Sequence, residues 1–303
     1  MRGLLRLRAI LLAVLAVLGI AGDACGPRDA VPADARPAAA PEARRDGAPP
    51  VAILGAFGDE TQPVVRAVAE PETLRVLGLR FVRGTLQGCP VVVAETGVGK
   101  VNAAATTAVL LSRFAPRAVI FTGIAGGLDP DSRPGDIVIG TATVQHDFVH
   151  ATDDSLIRFA PHNPVDGSRN PVYLPADARL LETLRRAAAS TEFLAVHSSS
   201  GEGPPRCVEG TIATGDAFVA SARMKRELRE RLGADAVEME GAAVAQVCHQ
   251  SRTPCIVIRS LSDNADNQAA EDLERFYQVA AENAARLVLS AVALMAAEPA
   301  HPR

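Results

Sequence analysis

Acidic side chains stand shortly behind apolar runs, or at their ends, at three places in this chain. Asp59 and Glu60 follow Val51–Ala56 (VAILGA), Glu238 and Glu240 flank Met239 at the end of a short run from Ala236, and Asp263 follows Cys255–Ser260 (CIVIRS). A single acid behind a strand usually marks a solvated turn. Acids behind three apolar strands together are harder to dismiss, because ligands of open α/β sheets bind outside the carboxyl ends of the strands. Carboxylates from three strand ends can therefore converge on one crevice and exchange protons with a small ligand there.

Other motifs fail on inspection. Thr96-Gly97-Val98-Gly99-Lys100 suggests a phosphate loop, but Glu95 precedes it, Val101 follows the lysine, and a third glycine is missing. A tight strand-to-helix turn accounts for it. His146-Asp147-x-x-His150 resembles a helical zinc motif with Asp for Glu, yet it follows a strand and has no evident third ligand, so a non-metal role is expected. There is no G-x-S-x-G elbow for a serine hydrolase.

The elements that must position the acids are legible as alternating strands and helices. Strands are expected at Val51–Ala56, Val91–Glu95, Ala118–Thr122, Asp136–Ala142, from Thr211, at Ala236–Met239 and at Cys255–Ser260. Helices are expected at Asn102–Phe114, Asp177–Ala189 with Asp177 as N-cap, Ala222–Leu232, Gly241–Gln250 and about Ala269–Ala297. CIVIRS lacks alternation, as a strand buried on both faces does. The pattern predicts one α/β domain over residues 51–303, with a central, mostly parallel or mixed sheet between helices.

Composition bounds the rest. The 303 residues are 48% hydrophobic and 22% charged, an ordinary globular balance that excludes collagen-like and wholly disordered chains. A net charge of −4, no Trp and two Tyr argue against nucleic-acid binding by a basic surface or by base stacking. Residues 1–25 read as a signal peptide: Arg2, Arg6 and Arg8 precede an apolar run from Ala9 to Ala21, then Gly22-Asp23-Ala24-Cys25. Cys25 suggests lipidation, with Asp23 as a departure from the usual small neutral residue. The expected place is outside the cytoplasm, periplasmic or tethered to a bacterial membrane through Cys25. Residues 26–50 are dominated by Pro, Ala and charge, and are expected to form a disordered linker. Cys89, Cys207, Cys248 and Cys255 have no zinc or CxxC spacing, and free thiols are expected.

Five segments together resemble the nucleoside phosphorylase/nucleosidase superfamily, and within it the 5′-methylthioadenosine/S-adenosylhomocysteine nucleosidases. They are ILGAFGDE, ETGVGKVNAA, FTGIAGGLDPDSRPGDIVIG, TGDAF and VEMEGAAVAQVC with PCIVIRSLSDNAD. The likeness covers Val51 to the end of the last helix. It implies a three-layer αβα fold and a homodimer. It also implies hydrolysis of the N-glycosidic bond of an adenine nucleoside, with neither metal nor organic cofactor. By position, Glu60 matches the residue that activates water, Asp263 the acid at the purine, and Glu240 the residue that holds the ribose hydroxyls. Met239 matches the residue beneath the sugar, Phe218 and Val219 the adenine pocket, and Arg259 and Ser262 supporting polar groups. Ala125 and Gly126 fall among the substrate-binding residues.

The chemistry wants these types. Protonation by Asp263 lets the base leave neutral, and an ionised Glu240 stabilises the oxocarbenium ion that forms. Glu60 deprotonates water on the opposite face, as in two-carboxylate glycoside hydrolysis. A carboxylate at this place would repel phosphate, which favours hydrolysis over phosphorolysis, while Arg259 argues the other way. Two alternatives stay open: a phosphate-dependent purine nucleoside phosphorylase, and a non-catalytic nucleoside-binding lipoprotein. Gly58, Ile124 and the long stretches 151–176 and 197–206 depart from the family pattern and leave the 5′ substituent open.

Overall fold

A computed structural model describes residues 48–198 and 201–297; the expected signal peptide, and the linker up to residue 47, lie outside them. The chain alternates as expected at first and then adds elements. β1 (Val51–Gly55) leads to α1 (Gly58–Ala67), followed by β2 (Ala69–Val76), β3 (Leu79–Leu86) and β4 (Cys89–Glu95). α2 (Lys100–Phe114), β5 (Ala118–Phe121), β6 (Ile124–Gly127) and β7 (Ile137–Gln145) come next. Short strands β8 (Val149–Ala151), β9 (Leu156–Arg158) and β10 (Tyr173–Pro175) precede α3 (Ala178–Ser190). β11 (Val196–Ser198) and β12 (Gly201–Gly203) form a hairpin before β13 (Cys207–Thr214). The chain ends with α4 (Ala222–Leu232), β14 (Ala234–Glu238), α5 (Gly241–Gln250), β15 (Cys255–Asp263) and α6 (Ala269–Ala297).

Eleven strands form one mixed sheet in the order β10-β7-β13-β14-β6-β15-β5-β1-β4-β3-β2. Its centre is parallel: β15 pairs with β5 and β6, and β1 with β5 and β4. The β2–β3–β4 edge is antiparallel, as are the pairings of β14 with β6 and of β15 with β7.

Side-chain alternation explains the three layers. Val51 and Ile53 of β1, with Ile256 and Ile258 of β15, point to one core with Val64 of α1, Leu184 of α3 and Leu287, Val288 and Val292 of α6. Ala52, Leu54 and Val257 point to the opposite core with Ala103 and Leu110 of α2 and Val244 of α5. A third cluster seats Leu228 and Leu232 of α4 against Val144, Val219 and Val237. All nine residues of β15 are buried, as its unbroken apolar run implied.

Three corrections concern elements beside the site. Asp59 and Glu60 do not lie in a loop; they open α1, where Glu60 occupies the third position. Helix formation there was obscured by Pro63, which cannot donate a helical N–H. β15 runs on to Asp263, so that acid ends the strand rather than following it. β6 and the β2–β3 hairpin were not anticipated: β6 is a four-residue IAGG segment, and β2 is an edge strand exposed along most of its length.

Candidate active site

Glu60 is 3% exposed and points inward from the first turn of α1. Its Oε2 accepts from the N–H of Ala56 at 2.5 Å, and its Oε1 from the N–H of Ile124 at 2.9 Å. The carboxylate is thus pinned between the end of β1 and the start of β6. Gly123 is required there, because a Cβ at that position would meet the Glu60 carboxylate. Burial pushes the Glu60 pKa up, against the opposing pull of Arg259 and of the backbone N–H donors.

Asp263 lies at the other end of β6. Its Oδ1 accepts from the N–H of Ala265 at 2.7 Å, and Ser262 Oγ donates to Oδ2 at 2.8 Å. Ala265 has a left-handed backbone (φ 52°), which turns that N–H back onto the carboxylate. Ser262 Oγ also approaches the Ala125 carbonyl at 3.4 Å. A Cβ on Gly126 would come within 2.9 Å of Asp263 Oδ1. Burial raises the Asp263 pKa, partly offset by the Ala265 and Ser262 donors. A carboxyl whose pKa is raised by burial is suited to act as a general acid.

Glu240 is the N-cap residue of α5, and its Oε1 accepts from the N–H of Gly99 at 2.7 Å. Its Oε2 lies 3.9 Å from Arg259. Burial, and then the neighbouring Glu238 charge, bring the Glu240 pKa up to about 7, while Arg259 pulls it down. Gly99 takes a positive φ of 94°, so the turn between β4 and α2 needs glycine to present that N–H.

Arg259 links the glutamates, attracting Glu60 and Glu240 and pairing with Glu238. Its guanidinium is 1% exposed, sits 4.1 Å from the Phe121 ring centroid and donates to Glu238 Oε2 at 2.6 Å. Glu238, which the sequence shows only as the acid on the other side of Met239 from Glu240, organises α5. It accepts from the N–H groups of Glu240 (3.1 Å) and Gly241 (2.7 Å), and Thr214 donates to its other oxygen. An anion satisfying the first amides of a helix is favoured by the helix dipole. Nothing in the VEME spelling separates a structural Glu238 from a ligand-facing Glu240; the parity of the strand was the available signal.

The remaining candidates divide. Met239 is half-buried between the two glutamates. Val219 is buried in the α4 cluster, whereas Phe218 is 53% exposed beside it. The two histidines of the zinc-like spacing part company: His146 is buried with Nε2 unpaired, and His150 is exposed on β8. Among the described residues no cluster of metal-ligating side chains exists. Cys89, Cys207, Cys248 and Cys255 are free thiols. A groove of about 460 Å³ between α1 and α6, lined by Asp59, Gln62, Arg66 and Glu282 among others, includes none of the three carboxylates.

Residues 50–293 match the family model described as Phosphorylase superfamily. The chain belongs to the phosphorylase superfamily. It is 35% identical over 250 residues to the 5′-methylthioadenosine/S-adenosylhomocysteine nucleosidase of Mycobacterium bovis, covering 82% of this chain and 98% of that one. Among solved structures of the superfamily, the nucleosidase of that name from Neisseria meningitidis, in complex with methylthio-immucillin-A, aligns with a TM-score of 0.70 and 35% identity. It covers 82% of this chain and all of that one. A futalosine hydrolase of Helicobacter pylori aligns with a TM-score of 0.69 at 31% identity, over 80% of this chain and 96% of that one. The mixed αβα fold of this phosphorylase-superfamily chain is thus the expected one.

Proposed function

We propose that this protein hydrolyses the N-glycosidic bond of an adenine nucleoside of the 5′-methylthioadenosine or S-adenosylhomocysteine type, releasing the free base. The observation that supports this is that Glu60 and Asp263 lie against opposite ends of β6, while Arg259 stands 3.9 Å from Glu240 and attracts Glu60.

Asp263, its pKa raised by burial, delivers a proton to the departing base. Glu240 holds the ribose hydroxyls and, when ionised, stabilises the cationic sugar more than the neutral ground state. Glu60 takes a proton from the attacking water. Arg259 bears against phosphorolysis: it is buried, stacked on Phe121 and neutralised by Glu238, not presented to an incoming dianion. Phe218, exposed on its turn, faces the base, and Met239 underlies the sugar.

The same reading takes the chain as exported, with Cys25 as a lipid-bearing tether and residues 26–50 as its spacer. It takes the enzyme as a homodimer, for which exposed Leu156, Ile157 and Val165 on the excursion after β8 are suited. Cell fractionation with mass analysis of the N-terminus tests the first, and light scattering the second.

The activity test is a panel of nucleosides with and without phosphate, read as free base by chromatography. Adenine release that ignores phosphate is expected. Strict phosphate dependence would refute hydrolysis, and binding without release would favour the binding-module reading.

A further inference from the structure

The N-terminus of α2 meets two acids at once. Gly99 N–H donates to Glu240, and the next amide, Lys100 N–H, donates to Asp216 Oδ1 at 2.8 Å. Lys100 then doubles back. Its Nζ donates to Asp147 Oδ1 at 2.6 Å and to Gln145 Oε1 at 3.3 Å, and stands 4.0 Å from Asp216 Oδ2. Asp147 Oδ2 in turn accepts from the N–H of Asp216 at 2.9 Å. The result is a closed ring: Lys100 side chain, Asp147, Asp216 backbone, Asp216 side chain, Lys100 backbone. It joins the end of β7, the turn after β13 and the start of α2.

That turn carries Phe218. On one side of Phe218 the buried Val219 anchors the turn to the α4 cluster; on the other the anchor is Asp216. Gly215 lies so close to buried His146 that a side chain there would collide with the imidazole. The turn is therefore fixed at Gly215–Asp216 and at Val219, with the ring side chain of Phe218 projecting between. Partial burial works against the ionisation of Asp147, yet the Lys100 ammonium and the Asp216 N–H hold its carboxyl below the ordinary value. A lysine at a helix N-terminus would otherwise invite an anionic ligand; here two carboxylates already face it.

We infer that Lys100 is a positioning residue, latching the turn that carries Phe218 and so setting affinity for the base without entering the bond-breaking chemistry. The inference rests on the proposed adenine-nucleoside reading.

Two variants test it, Lys100→Met and Asp147→Asn, with Lys100→Arg as the conservative control. Three quantities are read: KM, kcat, and Kd for free adenine by calorimetry. Losing a charge-assisted hydrogen bond should raise KM and adenine Kd about tenfold. kcat should stay within about threefold, the signature of lost ground-state and transition-state binding alike. The double variant should be no weaker than either single one, since both break the same ring. Lys100→Arg should recover most of the affinity. Should Lys100→Met fail to fold, Asp147→Asn, nearly isosteric, carries the test alone. Unchanged adenine affinity, additive losses, or a fall in kcat with KM unaltered would overturn the latch. Wild-type protein that binds adenine but releases none from any nucleoside would sink the proposed hydrolysis and leave the latch standing on the calorimetry. Wild-type protein without adenine affinity overturns the latch as well.

Discussion

The carboxylate of Glu60 fills the space that any side chain at residue 123 would need. A glycine in β-sheet surroundings is thus explained by an acid 63 positions earlier in the chain. The relation makes the acid's placement testable without touching the acid. Gly123→Ala should push Glu60 off its Ile124 and Ala56 donors and lower kcat by about 10²-fold, the lower range for a displaced general base. Thermal unfolding followed by circular dichroism separates this from collapse of the fold.

Asp263→Asn keeps the shape and the Ala265 contact but cannot serve as the acid. kcat should fall by about 10²–10⁴-fold. Adenine-nucleoside binding by calorimetry should remain measurable. Retention of full turnover would remove Asp263 from the mechanism.

Glu240 supplies a pH prediction. Its pKa stands near 7 in the folded protein against an ordinary 4.5, so between these values the native state holds more proton than the unfolded one. Stability must then fall as pH rises through that window, and the loss is complete above the folded value. Glu60 and Asp263, also raised, act in the same direction. The melting temperature of wild type should drop from pH 5 to pH 8, and the slope should be shallower in Glu240→Gln. Turnover should rise over the same range as Glu240 ionises. An equal slope in both proteins would contradict the assignment.

Glu238→Ala leaves the Arg259 guanidinium buried without its partner and uncaps the first amides of α5. Breaking one side of a buried pair costs about 3–5 kcal/mol. Urea unfolding should report a loss of that size, and activity should fall with it because Glu240 and Arg259 share that corner. A change under 1 kcal/mol, on the order of a surface substitution, would mean that water replaces the pair.

How much of this was legible depends on what each residue answers to. The central strands declared themselves, because burial on two faces demands unbroken apolar runs such as CIVIRS. Glu60, Glu240 and Asp263 were legible as acids that end such runs. Glu238 was legible as an acid but not in its structural role, since a buried structural carboxylate is spelled like a ligand-facing one. β2 escaped because an edge strand exposed along most of AEPETLRV has little alternation to display. α1 escaped because GDETQP carries turn residues, and its helical form rests on tertiary contacts, with Glu60, Thr61 and Val64 buried. The latch of Lys100 sits in a motif that resembles a phosphate loop. Its glycines do form the strand-to-helix turn, but its partners Asp147 and Asp216 are 47 and 116 residues away.

β15 comes last in sequence among the strands of the described residues, yet it lies between β5 and β6 in the middle of the sheet. Until residue 263 is available, β5 and β6 each present an unpaired inner edge, and neither Arg259 nor Asp263 exists to complete the site. The growing chain is therefore both inactive and adhesive for most of its synthesis. Insertion of β15 then closes the sheet and completes the site in the same step.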